Sequence, residues 1–165
     1  MNTWIISLLV NNHFGVLTRV TGLFSRRGYN IVSLSVGETH QQGFSRITIQ
    51  TRTDGAGIRQ VIQQLQKLED VHQVRLLPGA ETVSRELLLV KIIAPSSRRE
   101  KLAEELAEFT GNYKTVYSDE SEMILEFTGG GAQCEGFLEI ISAHTVTELC
   151  RTGVTAMSTT GEMNI

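Results

Sequence analysis

The chain has 165 residues, of which 41% are hydrophobic and 20% charged, and its net charge is −3. That balance belongs to a globular protein with enough apolar residues for one large core or two small ones. It gives no general electrostatic footing for binding nucleic acid or an anionic membrane.

Trp4 to Val10 is an apolar, β-branched run of strand length. Residues 16–27 place Val16, Val20, Leu23 and Phe24 at i, i+4, i+7 and i+8, one face of a helix. Arg26 and Arg27 fall in its last turn, and Gly28 supplies the C-terminal cap. Ile31 to Val36 alternates as a strand, residues 37–43 turn the chain, and Ile47 and Ile49 alternate in a second strand. Asp54-Gly55 opens a helix with Ile58, Val61, Ile62, Leu65 and Leu68 on one face. Val71, Val74 and Leu76 close the half as a short strand.

Leu77-Pro78-Gly79 begins a linker. The same order of elements then repeats. Leu87–Ile93 is a strand, and Ser97 with Glu100 forms a capping-box pattern ahead of Leu102, Leu106 and Phe109. Strands over 113–117 and 123–127 meet at Ser118-Asp119-Glu120. Cys134, Phe137, Leu138 and Ile141 mark a helix, and 146–151 a last strand. The reading is α+β: two tandem ferredoxin-like βαββαβ units, each a sheet with two helices on one face. The expected limits are 1–77, a linker over 78–84, and 85–165. Charge divides the same way, with eight Lys/Arg against four Asp/Glu in 1–77, and seven against fourteen in 78–165. A sheet with helices on one face leaves the other needing a cover, which makes oligomers plausible.

The turn between the first strand and the first helix, Asn11-Asn12-His13-Phe14-Gly15, carries more special residues than a plain connection needs. A helix starting there presents N–H groups without intrahelical partners, which attract anions such as a carboxylate. Gly15 lacks a Cβ and admits close approach to the backbone. Gly22, seven residues on, repeats the small surface on the same face. The side-chain oxygen of Asn12 can hold an ammonium group. Together these describe a site for a free amino acid. A capped turn, with Asn12 bonded only to backbone, accounts for the same residues.

Other candidates carry less. Gly129-Gly130-Gly131 precedes a helix but lacks the Gly-Lys-Ser/Thr of a phosphate-binding loop, so a strand-to-helix turn suffices. Cys134 sits on an apolar helical face and reads as core. Cys150 has no nearby Cys, and His144 six residues before it does not make a nucleophile pair. His13, His40, His72 and His144 lack metal-ligand spacing. Glu100, Glu104, Glu105 and Glu108 read as a solvated helix face. No catalytic constellation emerges, and a binding protein is expected. The first apolar run has no basic stretch before it, no small-residue cleavage site after it, and too few residues to span a bilayer. A cytoplasmic protein with reduced thiols is therefore expected.

Longer stretches carry a resemblance. Residues 12–17 (NHFGVL), Arg19-Val20, 22–31 (GLFSRRGYNI), 45–49 (SRITI), 64–68 (QLQKL), Asp70-Val71, 85–91 (RELLLVK) and 151–154 (RTGV) resemble the small, regulatory subunits of acetolactate synthase (acetohydroxyacid synthase). The resemblance implies an N-terminal ACT domain and a C-terminal domain typical of that family. It implies a subunit without catalytic residues or cofactors of its own. Its partner would be a large catalytic subunit that uses thiamine diphosphate, Mg²⁺ and usually FAD to condense pyruvate with pyruvate or 2-oxobutyrate. The small subunit would raise that activity and confer feedback inhibition by valine, or a related branched-chain amino acid. In the family the effector lies between two ACT domains of a homodimer. The family's motif falls here on Asn12, His13, Phe14, Gly15, Val16 and Leu17, with Asn30 coming from the second protomer.

Two departures accompany the resemblance. Val32 stands where the family usually has an acidic residue after Asn-Ile. Ser158-Thr159-Thr160-Gly161-Glu162 replaces the usual Ser-Arg-Gly. Three other readings remain: a free-standing amino-acid sensor, an enzyme acting through Cys150, and an RNA-binding ferredoxin-like sheet. The last lacks the exposed aromatic pair such sheets use.

Overall fold

The computed structural model describes residues 1–107, 109 and 112–160; Glu108, Gly161 and Glu162, named above, lie outside them. Two units result: Met1–Val83 together with residues 153–160, and Ser84–Thr152.

The first unit runs β1 (Asn2–Asn11), α1 (Val16–Arg26), β2 (Asn30–Glu38), β3 (Phe44–Thr53), α2 (Gly55–Leu65) and β4 (Val71–Leu77). Its antiparallel sheet has the order β2-β3-β1-β4. Strand alternation puts Ile6, Leu8 and Val10 of β1 on the same side as Ile47, Ile49 and Val74. Val16, Val20, Leu23 and Phe24 from α1, and Ile58, Val61, Ile62 and Leu65 from α2, complete that core. Leu68 packs against it from beyond the end of α2 rather than from the helix face expected. Asp54 caps α2 by accepting from the Gly57 N–H at 2.7 Å. Gly28, at φ +68°, ends α1 in the left-handed conformation that glycine takes without strain.

The second unit runs β5 (Thr82–Ile93), α3 (Ser96–Ala107), β6 (Asn112–Ser118), β7 (Glu122–Gly129), α4 (Gly131–Ile141) and β8 (Thr145–Arg151), with strand order β6-β7-β5-β8. Leu88, Val90 and Ile92 of β5 meet Leu102, Leu106, Leu125, Phe127, Phe137 and Ile141. Phe127 and Phe137 stack with centroids 4.7 Å apart. Gly129 is glycine for this packing, because a Cβ there would lie 2.7 Å from the Phe127 ring. Cys134 is core, as expected, at 0% exposure. Arg151 donates to Glu86 at 2.6 Å and to Glu135 at 2.7 Å, tying β8 to β5 and α4. The capping box expected at Ser97 is not the start of α3. The helix begins at Ser96, directly after Pro95, so Ser97 lies inside its first turn.

Between the units the expected linker is short. Gly79–Glu81 forms a single 3-10 turn, and β5 begins at Thr82 rather than at Leu87. A larger difference lies at the other end, where the expected second domain ran to 165. Residues 153–160 pack with the first unit, and their short strand β9 (Thr155–Ser158) had no signal in the sequence reading. The Val154 N–H donates to Ser33 Oγ at 3.3 Å, and the Ser35 and Thr155 hydroxyls lie 3.2 Å apart. The Thr159 N–H donates to the Glu81 carbonyl at 2.8 Å. Val154 is buried, at 3% exposure. Part of the cover expected from another molecule therefore comes from the chain itself. Among the described residues, no helix is long and apolar enough to cross a membrane.

A Cβ on Gly153 would overlap the backbone of Leu34. Gly153→Ala should therefore destabilise the first unit by about 1–3 kcal/mol, the usual cost of overpacking. Urea unfolding followed by Trp4, the lone tryptophan of the chain and part of this unit, measures it; an unchanged midpoint would count against the docking of this segment. In the second unit, Asp119 accepts from the Ser121 and Glu122 N–H groups and the Tyr117 hydroxyl, each at 2.8 Å. These donors hold its carboxyl well below the usual carboxylate range. A depressed folded-state value means a contribution present above the unfolded aspartate value of about 3.9 and lost as pH falls through the folded one. The stability gap between wild type and Asp119→Asn should therefore be widest near neutrality and close on acidification. A gap independent of pH would contradict the assignment.

Candidate effector site

β1 ends at Asn11, opposite Phe44, and the chain turns through Asn12, His13, Phe14 and Gly15 into α1. Gly15 precedes the helix at φ +88°, a conformation costly for any other L-residue. No side chain caps this helix start, so the capped-turn reading loses its capping bond. The Val16 N–H makes only a long bond, 3.5 Å, to the His13 carbonyl, and the N–H groups of a helix's first turn attract anions in general.

The expected residues divide by position. Phe14 is fully exposed and Leu17 is 41% exposed, so both present apolar surface at the turn. Val16 is turned into the core at 4% exposure, which leaves only its backbone on the outside. Asn12 is bonded neither to backbone alone nor to nothing: its side-chain N–H donates to Glu38 Oε1 at 2.9 Å. One of its two N–H donors is thereby used, and the amide oxygen is the part that suits an ammonium group. His13 Nε2 lies 2.9 Å from Asp70 Oδ1.

Asn30 opens β2, while Glu38, the partner of Asn12, ends it. Eight residues at about 3.3 Å each put Asn30 and Glu38 roughly 26 Å apart. Asn12 and Asn30 of one chain therefore cannot hold one small molecule together. β2 is an edge strand, bulged between Ile31 and Ser33, with Val32 and Val36 exposed. Two such edges running antiparallel would bring Asn30 of one chain to the Asn12 end of the other.

The sequence reading did not place several residues at the turn, although Arg19 and Asp70 were among those carrying the resemblance. Arg19 reaches back over Gly15, its Nη1 only 3.1 Å from where a Cβ would stand. It also donates through Nε to Asp70 Oδ2 at 2.7 Å. The spacing of Gly15 and Arg19, one helical turn, was a usable signal. Asp70, Glu38 and His72 are 51, 26 and 61 residues from their partners, and no pattern in the sequence links them. Elsewhere, the Gly130 N–H donates to Gln133 Oε1 at 3.0 Å, which gives the glycine run a local structural use. Cys150 is exposed on β8.

Known proteins match over nearly the whole chain. The family described as the AHAS small subunit-like ACT domain matches residues 6–73, and that described as the small subunit of acetolactate synthase matches 85–160. A probable acetolactate synthase small subunit of Methanothermobacter thermautotrophicus is 44% identical over 158 residues, covering 95% of this chain and 93% of that protein. The acetolactate synthase small subunit of Bacillus subtilis is 36% identical over 155 residues, covering 93% and 89%. The crystal structure of the acetolactate synthase small subunit from Thermotoga maritima superposes with a TM-score of 0.86 at 31% identity, covering all of both chains.

The left-handed backbone at Gly15 sets a measurable cost. Gly15→Ala should lose about 1–2 kcal/mol in chemical denaturation, its new methyl also crowding Arg19. A neutral substitution would mean that the turn does not hold this conformation in solution.

Proposed function

This chain belongs to the acetolactate synthase small subunit family, and from that membership we propose a specific regulatory role. The chain activates a large, thiamine-diphosphate-dependent acetolactate synthase subunit and makes it sensitive to valine or a related branched-chain amino acid. The effector lies at the β1–α1 turn, between two copies of the chain. Its carboxylate meets the first-turn N–H groups of α1 beside Gly15, and its ammonium meets the Asn12 amide oxygen. Phe14 and Leu17 offer apolar surface to its side chain. Asn30 of the second copy closes the other side.

The observation that carries this reading is the separation along β2. Asn12 and Asn30 sit at opposite ends of one edge strand, so a site using both is complete only in a dimer. Burying the exposed Val32 and Val36 against a second edge removes a sheet edge that a monomer leaves open. Regulation then follows from linkage: an effector that favours one arrangement of the pair changes how the large subunit is bound or activated.

Acetolactate formation by the large subunit from the same genome, with and without this chain and across a valine titration, tests the role. The chain should raise the activity and valine should lower it again. In Asn12→Ala the activation should persist, while the valine needed for half-inhibition rises about 5-fold or more. Unchanged valine sensitivity in that variant sinks the site assignment; no activation by the wild-type chain sinks the subunit role.

A further inference from the structure

Asp70 stands immediately before β4 and gathers three parts of the turn at once. Its carboxylate accepts from Arg19 Nε at 2.7 Å and from the Asn11 side-chain amide at 3.4 Å, and it lies 2.9 Å from His13 Nε2. Its backbone carbonyl accepts from the Asn11 N–H at 2.9 Å. A second layer supports the first: His72 Nε2 is 2.6 Å from Asn11 Oδ1, and the His72 ring meets Phe44 edge-on at 5.0 Å. The Asp70 side chain is only 14% exposed, whereas His13 and Arg19 are 54% and 47% exposed. One sheltered anion thus organises two solvent-facing side chains.

The residues it holds bracket the effector turn. Asn11 is its first anchor, His13 lies in its middle, and Arg19 covers Gly15 from one helical turn later. None of these contacts uses the hydrophobic core, which holds the turn at Val10 and Val16 while Asn12, His13 and Phe14 between them are exposed. Without Asp70 both side chains lose their common partner, and the space beside Gly15 is set by whichever rotamer Arg19 then adopts. We propose that Asp70 is a positioning residue for the effector turn: through Asn11, His13 and Arg19 it preorganises the backbone from 12 to 17 that receives the amino acid. This rests on the proposed effector reading but concerns a residue that does not touch the ligand.

The test uses the full chain, without the large subunit, as wild type, Asp70→Ala and Asp70→Glu. Two readouts are taken: exchange of the hydrogen-bonded amides that bracket the turn, Asn12 (to Gly43) and Arg19 (to Gly15), in the absence of ligand, and valine affinity by calorimetry. Asp70→Ala should raise exchange at Asn12 and Arg19 and weaken valine binding, each on the order of tenfold, with the amides of β1 and β3 unchanged. Asp70→Glu, which keeps the carboxylate, should recover most of both effects. Unchanged exchange and affinity in Asp70→Ala would overturn the proposal. So would faster exchange throughout β1 and β3, which marks general destabilisation, and so would equal losses in the Ala and Glu variants. A wild-type chain that binds no valine, leucine or isoleucine refutes the effector reading instead, and the exchange data alone then decide whether Asp70 orders the turn.

Discussion

The ladder pairing β1 with β3 and β4 is the constraint on which the first unit depends. Ten residues of β1 face ten of β3, from Asn2 opposite Thr53 to Asn11 opposite Phe44. A slip of one residue would turn Ile6, Leu8 and Val10 out of the core, so the hydrophobic pattern fixes the register. The register in turn fixes where β1 stops, and therefore where the turn starts. Asn11 arrives beside both Phe44 and Asp70 because the two neighbouring strands are held in place by the same core. The special residues from Asn12 to Gly15 follow at a point the core has already determined.

Beyond that point a different kind of interaction takes over. The turn is shaped by the left-handed Gly15 and by hydrogen bonds to charged groups at Glu38 and Asp70. Such contacts at a half-exposed surface are weaker than core packing and are screened by salt. They also adapt at lower cost than a packed core does. A site of this kind belongs to the low-stability end of a protein, where ligand binding most easily shifts a population.

Much of the fold was legible because it depends on periodicity. Val16, Val20, Leu23 and Phe24 on α1, and the alternation of Ile47 and Ile49 in β3, carry their structure in their spacing. Gly28 was legible as a helix cap, whereas Gly15 was read only as room for a ligand and its positive φ came from the structure. Of the candidate site, Asn12, Gly15 and Asn30 came from the strand–helix turn and from family resemblance. Asp70, Glu38 and His72 did not, because their partners are supplied by sheet pairing across 26 to 61 residues. The inward turn of Val16 was contained in the helical face but competed with its place in the motif. The return of residues from 153 to the first unit was illegible for a related reason. Its anchors are single hydroxyls, Ser33 and Ser35, and a glycine whose missing side chain matters only beside Leu34.

β2 draws these features together. It begins at Asn30, bulges at the exposed Val32, meets the returning segment at Ser33 to Ser35, and ends at Glu38, which holds Asn12. On the proposed reading, an amino acid bound between two chains grips this strand at both ends, once through Asn30 and once through the Glu38–Asn12 bond. A bulged edge strand is the part of the sheet whose pairing is least constrained. Its middle carries the hydroxyls that receive Val154 and Thr155. An effector can shift an equilibrium only by its difference in affinity for the two states. A strand that contacts the site at its ends and the returning chain at its centre is one element that both can bias. Val32 stands at the bulge, the position in β2 where a change of side chain least disturbs the ladder and most directly alters what a second edge would meet.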